Sequence, residues 1–262
     1  LDRGVDGFRM DVINLISKHA ALPQAEVPIG EIYGDGGPYY MNGPRLHEFL
    51  HEMYLNVFAG RDAELLTVGE CPGTSVEQAR LLTDQQRHEL DMVFQFEHMQ
   101  IDHGRSKWDL QGLKLVDLKQ NLAKWQYGLA DVGWNSLYWN NHDQPRVVSR
   151  FGDPAYWYES ATLLGAVLHL HRGTPYVYQG EELGMTNYPF TDVSQFVDVE
   201  SLNYYHQAVE QQGRDPRTVL CALEAIGRDN ARTPMQWDGC DQAGFTTGTP
   251  WLATAGSGDV LT

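Results

Sequence analysis

Four carboxylates in this 262-residue sequence stand where chemistry could be done: Asp11, Glu70, Glu97 and Asp143 each fall at or just past the end of a predicted strand. Cleavage of a glycosidic bond needs one carboxylate to attack or stabilise the anomeric carbon and a second carboxyl to protonate the leaving oxygen. The two stand about 5 to 5.5 Å apart when configuration is retained. Asp11 and Glu70, at the ends of neighbouring strands, suit such a pair. Arg9, two residues before Asp11, shares its face of the strand, and a cation there keeps Asp11 ionised. Glu70 follows the apolar run Leu65-Leu-Thr-Val-Gly69 and has no adjacent cation in sequence, a setting that raises a carboxyl toward a general acid's working range. For either residue alone, an ordinary loop carboxylate is an equal reading. The third element is Trp139-Asn-Asn-His142-Asp143-Gln144-Pro145. His142 can donate to sugar hydroxyls, and Asp143 can oppose the positive charge of an oxocarbenium-like transition state. A nucleophilic triad would call for G-x-S-x-G, which is absent, and the one H-E-x-x-H, His47-Glu-Phe-Leu-His51, does not accompany His142 and Asp143 in sequence.

Positioning these groups requires strands that end at one place. Short apolar strands are predicted over Val5 to Val12, Leu65 to Gly69, Asp91 to Phe96, Ser136 to Trp139 and Pro175 to Tyr178. Between them lie predicted helices over Arg45 to Ala59, Ser75 to Leu82, Leu115 to Leu129 and Ala155 to His171, the last ended by Gly173. Strand and helix alternating in this way imply an α/β fold with parallel strands. A partial (β/α)8 barrel is preferred to a doubly wound sheet, because a barrel's strand ends converge on one catalytic mouth and no glycine-rich phosphate loop is present. The stretch from Ile13 to Gly43, with Pro23, Pro28, Pro38, Gly30, Gly34, Gly36, Gly37 and Gly43, reads as an ordered loop over the site.

Composition narrows the partners. With 19 basic against 35 acidic residues the formal charge is -16, which repels nucleic-acid phosphates and suits a neutral ligand. The 7 tryptophans and 13 tyrosines could line a sugar cleft or simply fill a core. Cys71, Cys221 and Cys240 make an odd count without metal-like spacing, so a reducing compartment, the cytoplasm, is expected. No run of about 20 apolar residues is present, and a membrane location is not expected. The chain enters its first strand within a few residues, and Trp251 to Thr262 is small and polar, so the sequence reads as a fragment of a catalytic domain.

These residues resemble the α-amylase family, glycoside hydrolase family 13, and within it the oligo-1,6-glucosidase-like α-glucosidases. The resemblance rests on Gly7-Phe-Arg-Met-Asp-Val-Ile-Asn14, Thr67-Val-Gly-Glu70, Asn140-Asn-His-Asp-Gln-Pro-Arg146, Tyr178-Gln-Gly-Glu-Glu-Leu-Gly184 and Gly227-Arg-Asp-Asn-Ala-Arg-Thr-Pro-Met-Gln-Trp237, in family order along the chain. It implies Asp11 as nucleophile, Glu70 as acid/base and Asp143 as transition-state stabiliser, with Arg9 and His142 binding the sugar. Arg228 looks like the arginine that contacts the non-reducing glucose, the alternative being a loop ion pair with Asp229 or Glu224. Arg232 is assigned a structural place. Glu200 resembles an acid lining the leaving-group subsite, which Gln144 would also reach. Val12 resembles the residue that accompanies α-1,6 cleavage, where α-1,4 enzymes carry threonine or alanine; the alternative is a buried strand-end valine.

The resemblance implies no cofactor and leaves metal open. A maltase, a trehalose-6-phosphate hydrolase, a transglucosylase or a sucrose isomerase are the alternatives. The isomerase is set lower because Arg146-Val-Val-Ser-Arg150 lacks the charged Arg-Leu-Asp-Arg-Asp-like loop. A non-enzymatic relative would have no use for Arg9, Asp11, Glu70, His142 and Asp143 together. Full-length members carry earlier strands, with an aspartate and a histidine of the glucose subsite, and a β-rich C-terminal domain. These are expected to lie outside the present sequence, which is left as a barrel of about five of eight strands with two open edges, expected to be unstable and inactive alone.

Overall fold

The structure, a computed structural model, describes residues 1–27 and 33–254. The chain divides into two compact units. The first comprises Leu1–Ile101, Lys114–Leu137 and Arg172–Thr174, and the second Asp102–Leu113, Tyr138–His171 and the residues from Pro175 onward.

The first unit is built on a parallel sheet in the order β1 (Gly7–Met10), β2 (Leu66–Glu70), β3 (Met92–Phe94). Register pairs Arg9 with Val68 and Met10 with Gly69, so the chain leaves β1 toward Asp11 beside Glu70 at the end of β2. Helices α1 (Gly37–Tyr40) and α2 (Leu46–Met53) lie between β1 and β2, and α3 (Val76–Thr83) between β2 and β3. Helix α4 (Leu115–Gly128) leads to β4 (Ser136–Leu137), and Thr174 of β5 (Thr174–Pro175) donates to the Asn135 carbonyl. The core joins Leu46 and Leu50 of α2, Val76, Ala79 and Leu82 of α3, Val93 of β3, and Trp125 of α4. These are the apolar stripes that helical and strand periodicity present to one side. Helix α3 starts on a capping box. Ser75 Oγ accepts from the Gln78 N–H, and the Gln78 side chain accepts from the Ser75 N–H.

The strands are shorter than their apolar runs. The first stops at Met10 because Val12 takes a left-handed backbone, φ 35°, which no strand continues. The run Pro175 to Tyr178 gives only the pair Thr174–Pro175. The helix expected over Arg45 to Ala59 widens after Met53 into a turn of π-helix, Tyr54–Phe58, where Val57 is exposed. In the stretch Ile13 to Gly43, Pro28 and Gly30 lie outside the described residues. The described ends are anchored: buried Asn14 donates to the Pro72 carbonyl at 2.8 Å, and Ser17 Oγ accepts from the Arg45 N–H at 2.9 Å.

The second unit is helical: α5 (Val147–Phe151), α6 (Trp157–Leu170), α7 (Val199–Tyr205) and α8 (Pro216–Ile226). Phe190, Phe196, Leu223 and Leu252 form its buried cluster. The stretch Arg146 to Arg150 runs into helix α5, whose first two residues, Val147 and Val148, are buried.

Candidate active site

In the first unit, one guanidinium joins the two carboxylates that the sequence paired. Arg9 Nη1 bonds Asp11 Oδ1, and Arg9 Nη2 lies 2.7 Å from Glu70 Oε2. A planar fork held by both acids brings them to one place, as a nucleophile and its acid partner require. Asp11 is exposed whereas Glu70 is buried, so the two acids differ in solvation. Burial raises the Glu70 carboxyl above the ordinary range and the negative charge of Asp11 adds to this, while the Val12 N–H and Arg9 pull the other way; the net shift is upward. The absence of a sequence-adjacent cation thus misled in detail, because Arg9 reaches Glu70 across the sheet. Burial nonetheless outweighs it.

Val12 holds more than a side chain. Its N–H donates to Glu70 Oε2 at 3.1 Å, and it is only part-buried and past the strand, so it is not a buried strand-end valine. A β-branched residue at φ 35° is strained, and such strain gathers at functional sites. Glu97 is accounted for by packing: it accepts from Trp125 Nε1 at 2.6 Å, Asn121 Nδ2 at 3.0 Å and Lys124 Nζ at 2.6 Å.

In the second unit, Asp143 stands among two arginines and a histidine. Arg232 Nη2 donates to it at 2.9 Å, Arg228 Nε lies 3.4 Å away, and His142 Nε2 lies 3.4 Å from its other oxygen. Arg228 also pairs with Glu200 at 3.0 Å, and Lys107 bonds the same Glu200 oxygen. Arg228 therefore pairs with Asp143 and Glu200 in place of Asp229 or Glu224. Buried Asp229 accepts the N–H groups of Val197 and Asp198 instead. The charges alternate from Lys107 through Glu200, Arg228 and Asp143 to Arg232 and Asp198, where Arg232 Nη1 bonds Asp198 at 2.9 Å. Asp198 also caps α7, accepting from the N–H groups of Glu200 and Ser201, and so fixes where Glu200 projects. Gln144 Oε1 accepts from Arg150 Nη1 at 2.7 Å, and Arg150 also donates through Nε and Nη2 to buried Asp102.

Arg232 has a closer part than its sequence-based assignment suggests, since it touches Asp143 directly and donates to the His142 carbonyl at 3.0 Å. Lys107 and the Val12 N–H were not singled out from sequence. An aspartate three residues ahead of Ser201, opening the helical run Val199–Tyr205, was a readable cap signal for Asp198. Nothing local marks Lys107, whose partner is 93 residues away. Among the described residues, no group of three or more His, Cys, Asp or Glu side chains is arranged to hold a metal ion.

Residues 1–260 match the family described as "Alpha amylase, catalytic domain". The oligo-1,6-glucosidase of Halalkalibacterium halodurans is 56% identical over 96% of this chain and 45% of its own length. The trehalose-6-phosphate hydrolase of Bacillus subtilis is 50% identical over 98% of the chain and 45% of its own length. Among solved structures, isomaltulose synthase from Klebsiella sp. LX3 superposes with a TM-score of 0.88 at 33% identity, covering 97% of this chain and 45% of that one. The parallel sheet that brings Asp11 and Glu70 onto Arg9 agrees with the match to this catalytic domain. The chain belongs to the α-amylase family, and it spans a little under half the length of the curated relatives it matches.

Proposed function

We propose that the protein containing this chain is a retaining α-glucosidase of oligo-1,6-glucosidase type that releases terminal α-1,6-linked glucose from isomaltose and short oligosaccharides. Residues 1–262 form part of its (β/α)8 catalytic barrel, with further strands and a C-terminal β-domain contributed from elsewhere in the protein. The observation that carries this reading is the Arg9 fork between exposed Asp11 and buried Glu70, whose carboxyl is raised. Asp11 attacks the anomeric carbon while Glu70, protonated, delivers its proton to the leaving oxygen; Glu70 then takes a proton from the water that hydrolyses the glucosyl-enzyme. Arg9 keeps Asp11 ionised and Asp143 stabilises the developing positive charge. His142 and Arg228 bind glucose, Glu200 and Gln144 belong to the leaving-group side, and Val12 favours the α-1,6 bond. The reaction calls on no cofactor. The partner is a neutral sugar, and the cytoplasm is the compartment that three unpaired cysteines suit. Among the described residues, no helix is long and apolar enough to cross a membrane.

Trehalose-6-phosphate hydrolysis is the second reading, favoured by the 50% identical relative. Initial rates of the full-length protein on isomaltose, maltose, sucrose and trehalose 6-phosphate separate the two. Isomaltose is expected to be turned over fastest, and Asp11→Asn to remove glucose release while leaving the thermal melt intact. A folded Asp11→Asn protein with parental turnover refutes the mechanism. Faster maltose than isomaltose overturns the place given to Val12.

A further inference from the structure

Arg146 is the largest fully buried side chain of the described residues, and no carboxylate bonds it. Its Nη1 donates to the Gln179 carbonyl at 2.5 Å and its Nε to the Asn230 carbonyl at 3.1 Å. Nη2 reaches the Ala231 carbonyl and Thr233 Oγ1, each at 3.4 Å, and the guanidinium lies 5.5 Å from the centre of the Tyr178 ring. Taking a cation out of water costs several kcal/mol, and apolar residues of like volume often replace buried charges without loss. Burial pulls its pKa down to about 10, so it remains a cation at neutral pH. A side chain so expensive to bury is well explained by the segments it ties together.

Those segments converge on Asp143. Arg146 lies three residues after Asp143. Its acceptors Asn230, Ala231 and Thr233 belong to the short 3-10 turn Arg228–Arg232 and its end, the turn from which Arg228 and Arg232 reach Asp143. The other end of the Asp143 segment is tied to the same neighbourhood as Gln179, because Asn140 Nδ2 donates to Glu181 at 2.7 Å while Asn140 Oδ1 accepts from the Val147 N–H at 2.6 Å. Within the segment, the Asp143 N–H is held by Asn141 Oδ1 at 2.8 Å. Gly180 makes the approach possible: at φ +86° it turns the chain, and a Cβ there would sit 2.2 Å from Met185 Sδ and 3.1 Å from Arg146 Nη1.

We propose that Arg146 is a positioning residue, a buried cation that sets the placement of Asp143 against Arg228 and Arg232 by clamping both chain segments to the Gln179 turn. This rests on the reading of Asp143 as a carboxylate of the active site. It acts through Asp143 and touches no substrate itself.

The test is a double-mutant cycle in the full-length protein, with Arg146→Met and Arg146→Lys made in the parental and Asp143→Asn backgrounds. Hydrolysis of α-glucosyl fluoride, whose leaving group needs little help, keeps the weak variants measurable, and thermal melts accompany each. Arg146→Met is expected to lower kcat/KM by about 10- to 100-fold in the parental protein and by less than about twofold where Asp143 is already Asn, since residues acting as a unit are non-additive. Arg146→Lys, which keeps the charge and part of the bonding, is expected to recover a share of the loss. Equal losses in both backgrounds mean that Arg146 is general packing, and they overturn the proposal. Should Arg146→Met not melt cooperatively, Gly180→Ala displaces the Gln179 acceptor with the cation kept, and the same comparison decides. An Asp143→Asn protein with parental turnover instead refutes the reading of Asp143 itself.

Discussion

At the scale of single residues, the site is a matter of which acid keeps its proton. Glu70 is raised by burial and by Asp11, against the pull of the Val12 N–H and Arg9. An acid whose pKa is raised works while protonated and fails as pH rises through that pKa, so Glu70, as the proposed acid, is expected to set the basic limb of kcat/KM. Arg9 stabilises the charged carboxylate, and removing it moves the pKa further up. Arg9→Met is therefore expected to shift the basic limb to higher pH, alongside an overall loss of rate. Glu70→Gln loses the limb altogether and lowers kcat by about 10²- to 10⁴-fold. Profiles of kcat/KM against pH for the full-length variants check both, and a limb that stays or moves downward in Arg9→Met would show that another group supplies the proton. The strain at Val12 belongs to the same economy. Its N–H donates to Glu70, and its left-handed backbone turns the chain off the strand line directly after that contact.

At the scale of elements, position comes from caps and chain ends. Asp198 is buried, caps α7 through the Glu200 and Ser201 N–H groups, and receives Arg232 at 2.9 Å. Asp198→Ala removes the cap, worth about 1 kcal/mol, and strips a half-exposed arginine of one partner. A total loss of about 2–3 kcal/mol is expected, with Asp198→Asn, a competent cap without charge, losing less. Urea unfolding of the full-length protein measures this, and a change below about 0.5 kcal/mol for Asp198→Ala would contradict the assignment. Elements of this kind explain what was readable in the sequence. The parallel α/β alternation, the start of a helix at Ser75 and the pairing of Asp11 with Glu70 follow from local pattern, because period and strand end are written within a few residues. Helices α7 and α8 were not foreseen although Asp198 and Asp215-Pro216 mark their starts and Val219, Ala222, Leu223 and Ile226 give α8 a helical stripe, whereas the break of the Arg45 to Ala59 helix at Met53 has no such local mark. Lys107 on Glu200 and Arg9 on Glu70 were invisible, since each joins residues that only folding brings together.

At the scale of the molecule, apolar surface and charge oppose one another. Strand β1 pairs only with β2 among the described strands, and Phe8 on it is exposed. Helix α6 exposes Tyr158, Leu163 and Leu170, the last at 85%. An unpaired strand edge and exposed apolar side chains invite association, which covers both. A formal charge of -16 resists it by mutual repulsion, and salt screens that repulsion within about 10 Å at 0.1 M. Residues 1–262 produced alone are therefore expected to associate, with oligomer size by light scattering and binding of a hydrophobic dye both rising with ionic strength. Repulsion between like-charged copies weakens as salt is added while the apolar attraction does not, so the direction of the salt effect separates this cause from ion pairing between copies, which salt would dissolve. A monodisperse monomer with a cooperative melt and full glucosidase activity would show that the exposed edge and α6 surface need no cover.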